Sequence, residues 1–205
     1  MFKHIECEQG TDAWFKARLG KITASNFDKM ITKTGKASAS ASTIVNRAVA
    51  ELILGKPDEF YRSEAMERGN FLEPEALDFF NFSYGYNFKP CGFLESEEIG
   101  YGCSPDALDL DKKIGLELKC PMAHTHIEYL SGGVLPAKYM QQVQGCMLVT
   151  GFDSWVFGSY HPDIKGLHVI VERDEEYIVK MKKIIQDCVL EINKKIILLN
   201  IDLAA

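Results

Sequence analysis

The stretch Cys103 to Pro121, CSPDALDLDKKIGLELKCP, sets Asp106 and Glu117 eleven residues apart and puts Lys119 two positions after the glutamate. Two carboxylates brought close repel one another unless a cation joins them, and a few hard oxygen ligands suit Mg²⁺ or Mn²⁺. A lysine beside such an ion can orient or deprotonate a water, or steady charge developing on a phosphate. If the carboxylates lie on neighbouring strands of a hairpin, both can face one way near its open end. Alternation along the strand puts Glu117 and Lys119 on that face and turns Leu118 inward, with the Leu118 carbonyl as a further oxygen. The same residues also suit a solvated hairpin, with Asp106 as turn chemistry after proline and Glu117 beside Lys119 as strand surface. Asp109 and Asp111 fit turn positions better than ligand positions.

Two other stretches bear on this chemistry. RGNFLEPEA places Glu73 on a helix, where it could complete a metal shell, hold a second ion, or lie on the surface. KYMQQVQGCM puts Lys138 and Gln142 four apart on one helix face, with Tyr139 beside them. Gln142 could hold a phosphate or a metal-bound water, or be an exposed amide; Gln144 faces elsewhere.

Helices and strands must bring these residues together. GTDAWFKARLG reads as a short helix capped by Thr11 or Asp12 and ended by Gly20. TASNFDKMI reads as a second helix, KTGKASASAS (33–42) as a small, polar, mobile segment, and TIVNRAVAELILG as a helix with a glycine stop. Residues 63–84 are helical apart from an uncertain middle at Pro74. From Asn87 the texture changes to short, turn-bounded strands in a meander. Pro136 to Val149 is helical again, SWVFGSY and LHVIVE are strands, and an amphipathic helix from about Asp174 to Leu199 closes the chain. This is an α/β or α+β layout, a small mixed sheet flanked by helices.

With 205 residues, 46% hydrophobic and 25% charged, the composition is that of one globular domain with a single sizeable core. No apolar run reaches bilayer length, and the N-terminus lacks the apolar core of a signal peptide, so no membrane association and a cytoplasmic protein are expected. The six cysteines form no CxxC pair and read as reduced packing residues. Net charge is −6, but residues 1–50 hold eight Lys/Arg and four Asp/Glu, a net of +4 that leaves −10 for the remainder. That asymmetry suits a basic DNA-facing surface and an acidic metal site.

Pro105-Asp106 followed by Glu117-Leu118-Lys119 resembles the PD-(D/E)xK nuclease signature. More narrowly, the chain resembles the lambda-exonuclease and YqaJ-type viral recombinase family. EQGTDAWFKARLGKITAS (8–25), GNFLEPEA (69–76), CSPDALDL…GLELKCP (103–121), YMQQVQGCMLVT (139–150) and GLHVIVERDEEY (166–177) occur in family order across most of the chain. The resemblance implies a single restriction-endonuclease-like α/β domain over 1–205. Its parts would be a helical part about 1–86, a sheet-containing core about 87–172 and a closing helix about 174–199.

It also implies a Mg²⁺-dependent exonuclease, with Mn²⁺ as substitute and one or two ions per site. Such an enzyme degrades one strand of duplex DNA from the 5′ end and leaves a 3′ overhang for recombination. A homotrimeric ring around the DNA, a single-strand annealing partner and a host cell carrying a phage or prophage follow from the same resemblance. By family position, Asp106 and Glu117 are metal ligands, Leu118 gives its carbonyl, Lys119 is the catalytic lysine, and Glu73 and Gln142 complete the site. Arg18 and Ser25 hold the 5′ phosphate, and Trp14 stands near the entering duplex or in the core. The family's phosphate-binding arginine after Lys-Cys-Pro is absent, and His124 or His126 stands in for it or has no role. A site-specific or structure-specific endonuclease of the same fold and a non-catalytic DNA-end clamp are the alternatives. Tyr84 and Tyr86 to Phe88 are candidates for a subunit contact or for core.

Overall fold

The computed structural model describes residues 2–57, 64–98 and 100–200, with side chains in the first helical turn after Glu64 described from Glu67 onward. In chain order the elements are β1 (Phe2–Ile5), α1 (Asp12–Arg18), β2 (Ile22–Thr23), a 3₁₀ helix (Ala24–Lys29), α2 (Ala41–Leu54) and α3 (Glu64–Tyr84). Then follow β3 (Lys89–Pro90), β4 (Phe93–Ser96), β5 (Tyr101–Cys103), β6 (Ala107–Asp109), β7 (Ile114–Lys119) and α4 (Ala123–Gly132). A one-turn 3₁₀ helix (Ala137–Tyr139), α5 (Met140–Thr150), β8 (Ser154–His161), β9 (Ile164–Glu172) and α6 (Glu175–Leu198) complete the fold.

The expected hairpin is present. β6 and β7 pair antiparallel, Ala107 opposite Leu116 and Asp109 opposite Ile114. Asp109 organises the turn: its carboxylate accepts from the Asn87 N–H at 2.8 Å and the Lys112 N–H at 3.1 Å, and the residue is 1% exposed. Burial alone would raise this carboxyl, but the backbone N–H groups outweigh it and hold it below the usual range. The stability it contributes is therefore present above the unfolded pKa of about 3.9 and lost as the pH falls through the depressed folded value. Asp109→Ala is expected to cost about 1.5–3 kcal/mol at pH 7, the range for hydrogen bonds to a charged group, and less in acid. Denaturant melts at pH 7 and pH 3 check this; an equal deficit at both would contradict it.

β7 runs parallel to β8 over its full length, Glu117 opposite Phe157 and Lys119 opposite Ser159. A parallel pair needs a crossover, here α4, the one-turn 3₁₀ helix and α5. Gly133 and Gly151, both left-handed, stop α4 and α5. β9 returns antiparallel beside β8, and β3 flanks β6, giving the order β3-β6-β7-β8-β9. Both faces of β7 are covered. Leu116 and Leu118 pack in a cluster with Leu72, Ala76 and Phe80 of α3. Gly115 lies flat on Trp155, where an added Cβ would meet the indole at 2.2 Å. Trp155 belongs to the larger core built from α2, α5, α6 and the second sheet.

That second sheet departs from the sequence reading. β4 and β5 do not continue a single meander: they pair with each other, β1 joins β4 antiparallel, and β2 joins β5 in parallel. β2 has two residues, too short for any periodic signal, and depends on Tyr101 and Gly102 for its pairing. Other departures are local. TASNFDKMI is a 3₁₀ helix rather than an α-helix. The run 33–42 is tied down by Thr32 N–H to Lys36 O at 2.8 Å, Ser38 N–H to Met30 O at 2.9 Å and an Ile31–Ala37 bridge. α3 continues through Pro74. The proline removes the N–H that would bond Asn70, but both residues are exposed, so water can serve the freed carbonyl.

The punctuation read from sequence is seen at α1 and α2. The Thr11 side chain accepts from Trp14 N–H and Gly55 ends α2 with φ +64°; the closing helix begins near the expected Asp174, whose side chain, in a role the sequence reading did not assign, accepts from Tyr177 N–H at 2.9 Å. All six cysteines are unpaired thiols. Phe88 is core, 1% exposed, whereas Tyr84 is 38% exposed and stacks on His168 at 4.1 Å. Among the described residues no helix is long and apolar enough to cross a membrane.

Candidate active site

Asp106 immediately precedes β6, and its Oδ2 accepts the Leu118 N–H at 2.5 Å across the hairpin. Glu117, on the face of β7 opposite Leu118, is 1% exposed beneath α5. Its Oε1 accepts from Gln142 Nε2 at 2.7 Å and pairs with Lys119 Nζ at 2.5 Å. Lys119 Nζ also lies 3.8 Å from Asp106 Oδ2, so the lysine spans the carboxylate pair. The solvated-hairpin alternative is thereby excluded: a surface glutamate would not be enclosed on all sides.

The electrostatics are crowded with negative charge. Burial, then repulsion from Asp106, push Glu117 up to about 7 despite the pull of Lys119. Burial and then Asp106 push Glu73, on α3, up to about 7 as well. For Lys119, burial would lower the pKa, but Glu117 and Asp106 outweigh it and raise it, so the lysine stays charged. Glu117 Oε2 is buried and has no hydrogen-bond partner. An orphaned carboxylate oxygen in a site that also holds a second carboxylate is what a cation site offers. No group of three His, Cys, Asp or Glu among the described residues closes on one point. The donor set is therefore two carboxylates plus backbone and water, which fits Mg²⁺, an ion that retains several waters.

Asp106 and Lys119 line a cleft of about 550 Å³, with Glu117 buried behind them; its walls include Asn70 and Glu73 of α3 on one side and His124, Thr125 and Lys138 on the other. Gln142 is no exposed amide; it holds Glu117. Lys138 does not share its α5 face, because the residue falls in the preceding 3₁₀ turn and lies over the rings of Tyr129 and Tyr139. Gln144 does face elsewhere, bonding Glu172 O and Asp174 N–H.

Arg18, Trp14 and Ser25 form a second group. The Arg18 guanidinium stacks on the Trp14 ring at 4.1 Å, and its Nη1 and Nη2 donate to Ser104 Oγ at 2.8 Å and Thr23 Oγ1 at 3.2 Å. Burial lowers its pKa to about 10, which leaves it charged at neutral pH. Trp14 also donates from Nε1 to Ser104 Oγ at 2.9 Å, and exposed Ser25 lies 3.1 Å from Thr23 Oγ1. Trp14 is thus neither core nor free aromatic, but the shelf beneath Arg18. Ser104 ties this group to the carboxylates, two residues from Asp106.

Of the two alternatives for His126, phosphate binding or no role in it, the packing favours the second. The ring is fully buried, with Nδ1 2.7 Å from Ser159 Oγ and Nε2 2.9 Å from Lys165 O, so both nitrogens are engaged in docking α4 on β8 and β9. His124 is exposed and lines the cleft. Sequence reading missed Ser104, which its place beside Asp106 could have suggested, and Gln9, which nothing local marks. Gln9 Nε2 donates to Cys91 O at 2.8 Å and Pro105 O at 2.7 Å, fixing the peptide just before Asp106.

A mixed α/β fold with a carboxylate pair and a lysine at the foot of an open cleft defines the class of a nuclease-like protein. A family model described as the YqaJ-like viral recombinase domain matches residues 13–153, and the chain belongs to that family. The structure is similar to an alkaline exonuclease, LHK-Exo, from Laribacter hongkongensis, with 30% identity, TM-score 0.82, and coverage of 93% of this chain and 96% of that one. The same enzyme in complex with dAMP matches at 30% identity and TM-score 0.82, covering 92% and 96% of the two chains. A phage-related exonuclease from Haemophilus somnus 129PT shares the fold at 19% identity and TM-score 0.65, over 86% of this chain and 95% of that one. No curated protein sequence matches the chain. The similarity to LHK-Exo along nearly the full length of both chains supports a nuclease of the exonuclease–recombinase family.

Proposed function

We propose that this protein is a Mg²⁺-dependent exonuclease of the PD-(D/E)xK type. It digests one strand of duplex DNA from the 5′ end and leaves a 3′ overhang for recombination. The observation that carries this reading is the buried Glu117, with one oxygen held by Gln142 and Lys119 and the other without a hydrogen-bond partner. Asp106 and Glu117 would hold the ion with the Leu118 carbonyl, and Glu73 would serve a second ion. Bound there, Mg²⁺, or Mn²⁺ in its place, supplies an activated water and stabilises charge on the phosphoryl oxygens.

The remaining chemistry belongs to the chain. Gln142 and Lys119 hold Oε1 of Glu117 and so direct Oε2 away from them. Lys119 keeps a proton at Nζ, where it orients the attacking water and faces the charge growing on the phosphate. Arg18, backed by Trp14, Ser104 and Ser25, would grip the terminal phosphate; Ser104 Oγ accepts from both Trp14 and Arg18 and so keeps its own hydrogen for an anion. The dAMP complex of LHK-Exo supports a site that accommodates a mononucleotide. A homotrimeric ring, with the basic first fifty residues toward the DNA, and a single-strand annealing partner belong to the same proposal.

With Mg²⁺, linear duplex should lose its 5′ label as mononucleotides, a 3′ label on the opposite strand should persist, and covalently closed circular duplex should stay intact. Cutting of the closed circle would favour the endonuclease alternative. End binding without hydrolysis in Mg²⁺ or Mn²⁺ would favour the clamp. Sedimentation of the same preparation as monomer alone would remove the ring.

A further inference from the structure

The cleft contains a second cation that this mechanism does not use. Lys138 stands on the one-turn 3₁₀ helix that leads into α5, at the rim of the cleft. Its Nζ lies 5.3 Å from the centroid of the Tyr129 ring and 5.0 Å from that of Tyr139. The two tyrosine hydroxyls are 3.3 Å apart. Both rings rest on Phe157 of β8, Tyr139 stacked at 5.3 Å and Tyr129 edge-on at 6.2 Å. Phe157 is fully buried. The lysine is therefore presented on a shelf fixed to the central sheet.

Lys119 Nζ lies 5.6 Å from the same Tyr139 ring centroid. One ring thus serves two ammonium groups, and they differ in how their charge is met. Lys119 is paired with Glu117 and Asp106. No carboxylate among the described residues forms an ion pair with Lys138, which meets only aromatic faces and tyrosine hydroxyls. Its hydrogen bond to the Tyr129 hydroxyl raises its pKa, so the charge persists at neutral pH. A cleft lined by Asp106 and Glu73, with Glu117 buried behind Asp106 and Lys119, repels a polyanion. An ion held by these carboxylates would answer the scissile phosphate, but the next phosphate along the strand needs a cation of its own.

We propose that Lys138, on the Tyr129–Tyr139 shelf, is the binding site for the phosphodiester adjoining the scissile one on the strand being cut. The proposal rests on the nuclease reading above and adds a subsite to it. Lys119 Nζ and Lys138 Nζ lie 5.6 and 5.0 Å from the centroid of one ring, so the two cations are neighbours in the cleft and can meet successive linkages of one strand. Lys138 makes a phosphate contact and holds no reacting atom, so its effect falls on binding and on salt dependence.

The test compares wild type, Lys138→Gln and Lys138→Arg on a short linear duplex with a 5′ phosphate, in Mg²⁺ across a salt series. Lys138→Gln should raise KM several-fold with kcat nearly unchanged, and lower the log–log salt slope by about 0.7–0.9, the value of one phosphate contact. Lys138→Arg should keep the wild-type slope. The duplex is then made with a neutral methylphosphonate at the second linkage from the 5′ end, and release of the first nucleotide alone is followed in a single turnover. Wild type should weaken on it as Lys138→Gln does on the natural duplex, and Lys138→Gln should weaken no further. An unchanged salt slope, or two losses that simply add, would overturn the subsite and leave the nuclease standing. Failure of wild type to degrade the natural duplex would instead overturn the nuclease reading, and the subsite with it.

Discussion

Glu117→Gln should leave a folded protein that hydrolyses linear duplex DNA about 10²–10³-fold more slowly, and Lys119→Ala should lose about 10²–10⁴-fold. The glutamine keeps the size of the buried side chain but removes a charge from the proposed ion shell. The fold should tolerate it. Glu117 is pushed up to about 7 by burial and by Asp106, so a neutral group relieves a crowded site. Gln142 can turn its amide to present oxygen where it now presents nitrogen.

Removing Lys119 has the opposite electrostatic sign, because it takes away the cation lying 2.5 Å from Glu117 and 3.8 Å from Asp106. DNA binding should survive in Lys119→Ala, since the Arg18 group and the cleft walls are untouched. Thermal melts give a readout that does not depend on turnover. Mg²⁺ should raise the melting temperature of wild type by mass action and fail to do so for Glu117→Gln. Near-normal cleavage by either variant, or equal stabilisation of wild type and Glu117→Gln by Mg²⁺, would remove the pair from the site.

The second large effect concerns the choice of end. Carboxylates and a lysine can hydrolyse a phosphodiester but do not distinguish a 5′ terminus from any other bond. Arg18 is built to do so. Two of its five donors are committed to Ser104 and Thr23, its plane is fixed on Trp14, and the remaining donors keep the fork that matches phosphate oxygens. Duplex with a 5′ phosphate should therefore be cut faster than duplex with a 5′ hydroxyl. Arg18→Ala should erase about 1.5–3 kcal/mol of that preference, about 10- to 150-fold, with the metal response of the melting temperature unchanged. Arg18→Lys retains charge without the fork and should recover only part. Slowing both ends equally would mean that Arg18 supports Trp14 and Ser104 structurally and that the end is read elsewhere.

Much of this protein was already decided within short windows of sequence. Thr11, Gly55 and Asp174 punctuate helices because a hydroxyl, a left-handed glycine and a carboxylate each satisfy backbone groups a few residues away. Asp109 shapes the hairpin turn for a similar reason, drawing on Lys112 nearby as well as on Asn87. The spacing of Asp106, Glu117 and Lys119 named the reacting groups because alternation along a strand is a local rule. Family membership followed from several such windows in a fixed order.

What the windows did not contain is the environment of each group, which is made by partners far away along the chain. Whether Glu117 was a solvated strand residue or a buried ligand depended on Gln142, twenty-five residues later, and on α5 closing over it. Arg18 and Trp14 meet Ser104 across 86 and 90 residues, and Gln9 reaches Pro105 across 96. Whether His126 bound phosphate or had no such role was decided by β8 and β9, which engage both of its nitrogens. β1 and β2 needed β4 and β5 as partners before they were strands at all. Residue type and spacing set which chemistry was available, and only the packing of distant segments set burial, hydrogen-bond partners and charge, because those are properties of a neighbourhood that no short stretch of chain contains.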